Sequence, residues 1–316
     1  IDYYQKATDV SNQLAAVYQA WGRALTTRAL SRRGRQAAED LDNAVKKYEE
    51  ALTKTEDKQG IYHDILNALL GYLNVESENA EPILDRMDGY LQRAQADSPD
   101  LPVLRIYYAN LCLERGKRRT DAVGKELLQK AYEEYVTSGN SGPDIGAIWH
   151  NAGNALAELA RRSSEAEATS LFERALEHYQ RSVLPTEQAA VTANAIGSLY
   201  FVWAQQSSGE LQQQRCEQSA RYLSSALAAQ PDFLQALINM VGLQRLRAPR
   251  LSRQDAAALW QDVLQRIDAA AQHKADALTV DMLRGDALAE RAQWLPVPED
   301  ETLRMQAIEI YTTIAR

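Results

Sequence analysis

The side chains that could carry catalysis are spread along this 316-residue chain without forming a familiar site. The chain has four histidines, which are His63, His150, His178 and His273. They lie far apart and show none of the spacings of metal ligands, so we expect no bound metal. No phosphate-binding loop and no nucleophile elbow of the Gly-x-Ser-x-Gly type occurs. The sequence therefore predicts a protein that is not an enzyme, with no catalytic residue and no cofactor.

The asparagine side chains are better suited to binding. An amide carries one acceptor and two donors, so it can pair with the backbone of an extended peptide whatever the peptide's side chains are. Asparagines recur at related positions along the chain, at Asn110, Asn151, Asn154, Asn194 and Asn239. An asparagine in a helix can also cap or bond a neighbouring turn. Both interpretations are open until the elements that position these residues are known.

Composition and charge narrow the classes of partner. Hydrophobic residues make up 45% and charged residues 25% of the chain, which predicts a packed core. With 43 acidic against 35 basic residues the net charge is −8, so we expect no binding to nucleic acid or to an anionic membrane. No apolar window approaches the roughly 18 residues of a membrane span. Cys112 and Cys216 lie in apolar helical patterns and are predicted to be buried free thiols, which favours a cytoplasmic protein.

An internal repeat of 43 or 44 residues organises the whole chain. Its first column holds small or apolar residues, at Ala44, Met87, Ala131, Ala175, Ser219, Val263 and Ala307. Four residues later comes a column of large residues, at Tyr48, Leu91, Tyr135, Tyr179, Leu223, Ile267 and Tyr311. The positions three residues further on are again mostly small, which is typical of one apolar stripe of a helix.

A second column lies about 22 residues upstream of these helices, at Gly22, Ile65, Ala109, Gly153, Gly197, Val241 and Gly285. Because glycine costs a helix roughly 1 kcal/mol relative to alanine, its recurrence predicts a close approach of two helices. Each unit would then have a first helix with a small contact residue, a connector, and a second helix with the apolar stripe. We predict an all-α solenoid of about seven antiparallel hairpins in a single domain, 1–316. The predicted units span roughly 8–54, 55–98, 99–141, 142–185, 186–231, 232–274 and 275–316.

Two segments resemble a known repeat family. The residues from Asn151 to Leu156 resemble the Asn-Leu-Gly-Asn-x-Tyr stretch in the first helix of tetratricopeptide repeats. Ala44 to Leu52 resembles the second helix of that family, whose pattern is Ala-x-x-x-aromatic-x-x-Ala. The family period is 34 residues, however, and HEAT or armadillo repeats, with periods of about 40 to 47, are the structural alternative. The resemblance implies a right-handed superhelix whose first helices line a concave groove and bind a peptide or helix of another protein.

The resemblance and helix geometry together predict which residues face such a groove. The predicted groove residues are Tyr107, Asn110, His150, Asn151, Asn154, Asn194, Ser198, Asn239 and Met240. The favoured function is a scaffold or adaptor that binds another protein or peptide. The alternative is a sensory or regulatory repeat segment that contacts neighbouring domains of a larger protein.

The two ends and the connectors add further expectations. The chain begins without methionine and stops within a helical pattern, so we expect a piece of a longer protein. The end repeats expose apolar faces suited to self-association, and Ile308, Ile310 and Ile314 would form one of them. Basic residues cluster on three predicted connectors, within 32–35, 115–119 and 245–253. If these clusters share one edge, they would contact an acidic partner.

Overall fold

The computed structural model describes residues 3–4, 6, 14–32, 34–76, 80–99, 101–142, 145–182, 189–273 and 275–315. Within these ranges the chain forms fourteen α-helices, one 3-10 turn at Ala248–Arg250 and no β-strand. Successive helices pair into seven hairpins, which confirms the prediction of an all-α fold built from helix hairpins. The handedness of the superhelix and the single-domain organisation stay predictions.

The first of two compact units, Ile1–Asp144, holds three hairpins. Its helices are α1 (Ala15–Leu30), α2 (Gly34–Leu52), α3 (Gln59–Val75), α4 (Ala80–Asp97), α5 (Val103–Arg118) and α6 (Ala122–Ser141). Tyr48, Tyr62 and Leu84 in its hydrophobic core are at most 1% exposed. Burial of a large side chain to this degree contributes about 1.5–3 kcal/mol, so these residues hold the hairpins together.

The second compact unit, Ile145–Arg316, holds four hairpins. Its helices are α7 (Gly146–Ala160), α8 (Glu165–Arg181), α9 (Ala189–Gln205), α10 (Gly209–Ala229), α11 (Leu234–Arg247), α12 (Arg253–Gln272), α13 (Ala277–Ala292) and α14 (Glu299–Ile314). Trp149, Phe172 and Trp260 are its largest fully buried side chains. Helix α14 buries only Ala307 completely, and Ile308 on its outer face is exposed.

The contact residues bring the two helices of a hairpin together as the repeat predicts. A Cβ atom placed on the contact glycine would lie only 2.4–2.8 Å from the large side chain 26 positions later. The pairs are Gly22 with Tyr48, Gly153 with Tyr179, Gly197 with Leu223 and Gly285 with Tyr311. Any larger residue would collide with the partner helix. Close packing at these four positions therefore requires glycine, although glycine is unfavourable in a helix.

The cysteines also behave as the sequence indicates. Cys112 on α5 and Cys216 on α10 are buried and free. Burial raises the pKa of both thiols, which keeps them protonated at neutral pH. Both residues therefore act as small core side chains.

The first helices of the second unit form a continuous layer. Helix α9 packs against α7 on one side and α11 on the other, and α11 packs in turn against α13. Each of these four helices also packs on its own second helix, which leaves one side of every first helix for other contacts. This layer positions most of the residues that were predicted to bind a partner.

Candidate functional site

The two predicted groove residues of the first unit are engaged in packing. Tyr107 on α5 is only 3% exposed, and its hydroxyl lies 2.8 Å from Nδ1 of His63 on α3. The prediction that Tyr107 lines an open groove is therefore wrong, because its side chain turns toward the neighbouring first helix. The Asn110 side-chain oxygen accepts a hydrogen bond from the Tyr135 hydroxyl.

The same bond to a tyrosine recurs in the second unit. The Asn154 side-chain oxygen accepts a hydrogen bond of 2.7 Å from the Tyr179 hydroxyl. Asp286 accepts an equivalent bond of 2.7 Å from Tyr311. In each case the acceptor directly follows the contact residue of the first helix. Asn110 and Asn154 thus each join the two helices of one hairpin, a structural role other than the helix cap or neighbouring-turn bond that the sequence analysis considered.

Met240 on α11 is also part of the core. It is 1% exposed, and its sulfur accepts a hydrogen bond of 3.0 Å from Gln244. A partner could not reach it, so the prediction that Met240 lines the groove is wrong. It directly precedes the contact residue Val241, and at that helical phase a side chain points toward packed neighbours.

His150, Asn151 and Ser198 are half-buried on α7 and α9. The His150 ring lies 5.3 Å from the Tyr179 ring, with the two planes tilted by 58°. The Ser198 hydroxyl accepts a long contact of 3.5 Å from Arg161. These three residues border solvent but make contacts within their own unit.

Asn194 and Asn239 form an asparagine pair that joins two first helices. Nδ2 of Asn239 donates to the side-chain oxygen of Asn194 at 2.9 Å, which links α11 to α9. Both residues are half-buried. The structure thus brings together two of the predicted asparagines at the solvent side of the first-helix layer.

Exposed apolar side chains occur on the two helices of this pair and on the next first helix, α13, and the sequence prediction did not include them. They are Val191 on α9, Ile238 on α11, and Leu278 and Met282 on α13, with exposures of 38%, 43%, 55% and 52%. We call Val191, Asn194, Ile238, Leu278 and Met282 the first-helix face. Asn194, Ile238 and Met282 each stand three residues before a contact residue, so the repeat itself carried the signal.

The charge on this layer is unevenly distributed. Helix α9, Ala189–Gln205, contains no Asp, Glu, Lys or Arg. Near the end of α11, Arg245 donates to Asp286 at 2.9 Å and to Glu290 at 2.7 Å, both on α13. The five residues of the first-helix face carry no charge, and Asp281, which directly precedes Met282, pairs with Arg284 at 3.3 Å. Such a surface suits apolar side chains and offers no acid–base chemistry.

The part of the chain that the structure describes contains no group of three or more His, Cys, Asp or Glu side chains placed to hold a metal ion. Among the same residues, no helix has the length and apolar character needed to cross a bilayer.

No protein-family model matches the chain. No curated protein matches it either. Among solved structures, it is similar to the hypoxic regulator of sterol synthesis Nro1, described as a nuclear import adaptor. That likeness has a TM-score of 0.47 and 13% identity, and it covers 86% of this chain and 96% of the other.

A second similar structure is a circular tandem repeat protein with novel repeat topology and enhanced subunit contact surfaces. Here the TM-score is 0.37 and the identity 15%, with 96% of this chain and 82% of the other covered. Likenesses at this level say nothing about function. The chain is a helical repeat protein on the evidence of its own hairpins.

Proposed function

We propose that this chain is a tetratricopeptide-like scaffold that holds an apolar segment of another protein on its first-helix face. The observation that carries the proposal is the group of exposed apolar side chains on three consecutive first helices, α9, α11 and α13. Contiguous exposed apolar surface on a folded protein commonly marks an interaction site. In this proposal the chain is cytoplasmic and catalyses no reaction.

The chemistry of the face indicates what the bound segment looks like. Val191, Ile238 and Met282 would receive apolar side chains, because each of them is itself apolar and exposed. The Asn194–Asn239 pair lies beside them and can hydrogen-bond to polar groups of the segment. An amphipathic helix or an extended peptide with spaced apolar residues meets both demands. The buried free thiols support a reducing compartment.

The proposal is tested with peptides selected for binding to this chain from a random displayed library. Their affinity is then measured for the parent and for a variant carrying Ile238→Ser and Met282→Ser. We expect binding to weaken by about tenfold or more, since each lost side chain removes roughly 1 kcal/mol or more of apolar contact. A control with Leu211→Ser and Leu251→Ser removes two exposed apolar side chains of the same unit that lie outside the face.

The control should bind as the parent does. If the face variant keeps full affinity, or the control loses as much, the first-helix face is not the binding surface. If no peptide is selected at all, the result supports the alternative, a regulatory segment that contacts neighbouring domains of its own protein. The asparagines are tested separately with Asn194→Ala and Asn239→Ala. Asn154 is unsuitable for this purpose, because its loss would break the bond to Tyr179.

A further inference from the structure

Three arginines of the second unit lie around the first half of α10, where Arg215 is next to Cys216 and both Arg247 and Arg250 interact electrostatically with that thiol. Arg215 on α10 donates to the hydroxyl of Ser207 in the connector between α9 and α10. Arg250, in the 3-10 turn that follows α11, donates to Gln212 on α10. Arg247, at the end of α11, donates to Gln244 at 3.0 Å. We call Arg215, Arg247 and Arg250 the arginine cluster.

Two members of the cluster reach the carboxyl end of α9 through one intermediate each. Gln212, the partner of Arg250, donates to the Ala204 carbonyl at 2.9 Å. Ser207, the partner of Arg215, donates to the carbonyl of Trp203, which also lies at the end of α9. The carboxyl end of a helix carries about half a negative charge. This partial charge offsets only a fraction of the positive charge gathered there.

The part of the chain that the structure describes places no carboxylate in direct contact with the cluster. Among the described residues, none of the three arginines has a carboxylate oxygen within 4.0 Å. Arg245, only two residues before Arg247, pairs by contrast with both Asp286 and Glu290. The cluster therefore carries surplus positive charge in a chain whose net charge is −8.

Arg215 is a cation held partly out of water, which is energetically unfavourable. Its guanidinium lies 4.1 Å from the centre of the Trp203 ring and is half-buried. Burial lowers the pKa of Arg215, although Glu165 and Glu173 oppose this from a distance. A cation removed from water is stabilised when an anion pairs with it. A carboxylate supplied by a ligand would provide such a pairing for Arg215.

The cluster has the donors to bind one. Each guanidinium has five N–H groups. Arg215 and Arg247 each use one of them in the hydrogen bonds described, and Arg250 uses two, one to Gln212 and one to the Leu246 carbonyl at 2.6 Å. Planar arginine forks match carboxylates, which accept two parallel hydrogen bonds. Arg250 is exposed, so a ligand can approach from solvent. We infer that the arginine cluster binds the carboxylates of an acidic segment of a partner protein, as a second contact beside the first-helix face.

The probe for this inference is a fluorescent glutamate-rich peptide, with a glutamine-matched peptide as its neutral counterpart. Anisotropy is measured on the intact chain at low and at physiological salt. We expect the glutamate peptide alone to bind, and its binding to weaken by about tenfold with Arg215→Gln and Arg250→Gln together. The control variant, Arg221→Gln with Arg266→Gln, removes the same charge from α10 and α12 outside the cluster and should bind within about twofold of the parent.

Two further variants keep the test decisive. If the double variant melts early, the single substitution Arg250→Gln, at an exposed position, replaces it. Arg250→Lys keeps the charge but loses the fork, so it should bind more weakly than the parent. The inference is overturned if the parent does not bind the glutamate peptide, or if the control variant loses as much affinity as the cluster variant. The face variant Ile238→Ser with Met282→Ser should bind this probe normally, which separates the two surfaces.

Discussion

At the scale of single residues, the hairpins are closed by a contact that repeats along the chain. A glycine on the first helix receives a tyrosine ring from the second, as Gly153 receives Tyr179. The next residue, Asn154, accepts the hydroxyl of the same tyrosine. One side chain thus supplies both the apolar packing and the polar bond that hold the two helices in register. Substitutions at this contact should have effects that depend on the space around the Cβ atom.

We expect Gly153→Ala to destabilise the protein and Gly89→Ala to stabilise it. A Cβ atom at position 153 would lie 2.8 Å from the Tyr179 ring, whereas one at position 89 meets nothing within 4 Å. Overpacking should cost about 1–2 kcal/mol after the gain in helix propensity, and the free position should gain about 0.5–1 kcal/mol. Urea unfolding of both variants measures these values. Equal changes in the free energy of unfolding at positions 153 and 89 would show that the contact between Gly153 and Tyr179 tolerates an added methyl group.

The hydroxyl of Tyr48 should make stability depend on alkaline pH. Burial raises the pKa of Tyr48 to about 12, whereas an unfolded tyrosine titrates near pH 10. Its contribution to the free energy of unfolding is therefore complete below about pH 10 and is lost as the pH rises through about 12. We expect Tyr48→Phe to lose less stability than the parent between about pH 8 and about pH 11, measured by urea unfolding. An identical loss in both proteins would exclude Tyr48 as a cause.

At the scale of elements, the ends of a hairpin are joined by charge as well as by packing. Asp40 on α2 is 2% exposed and accepts a hydrogen bond of 2.9 Å from Arg28 at the end of α1. Arg32, in the connector, lies 3.1 Å from the same carboxylate. One buried anion thus fixes the chain where α1 turns into α2. Its two partners remain more than a third exposed, so they can be hydrated when the anion is lost.

Asp40→Asn should lower the free energy of unfolding by about 1–2 kcal/mol, because a buried charge-assisted bond is replaced by weaker ones. Glu39→Gln serves as the control. That residue is the neighbour of Asp40 and pairs with Arg35 at 3.0 Å in an exposed position. Such surface pairs contribute about 0.5 kcal/mol or less, so the control should unfold almost as the parent does. Thermal melting of both variants decides the question.

The elements also show what could be predicted from the sequence. The contact glycines were predictable, because a fixed spacing of small and large residues survives in almost every unit. The side of a first helix that faces solvent was not predictable, because a step of one residue along a helix rotates the side-chain direction by about 100° around the helix axis. Met240 and Tyr107, one and two residues before a contact residue, point into the core. Ile238 and Met282, three residues before, point outward, and only the packing of neighbouring helices distinguishes these phases.

At the scale of the whole molecule, a stack of hairpins should respond locally to damage. In the second unit each first helix packs on its own second helix and on a neighbouring first helix. Each hairpin is therefore stabilised by the hairpins next to it. Trp260 on α12 is fully buried, and α12 packs against α11 and α13. A cavity at this position should therefore loosen those two helices before others in the same unit.

We expect Trp260→Ala to lower the free energy of unfolding by about 3–5 kcal/mol, as large-to-small substitutions in a core do. Hydrogen exchange should then accelerate most in α11, α12 and α13, and least in α7, because coupling between repeats decays with separation. Gln265→Ala, at an exposed position of the same helix, is the control and should leave the exchange pattern unchanged. Uniform acceleration from α7 to α14 would mean that the second unit opens as one cooperative block. Confinement to α11, α12 and α13 would instead mean that this part of the unit can open while the rest stays folded.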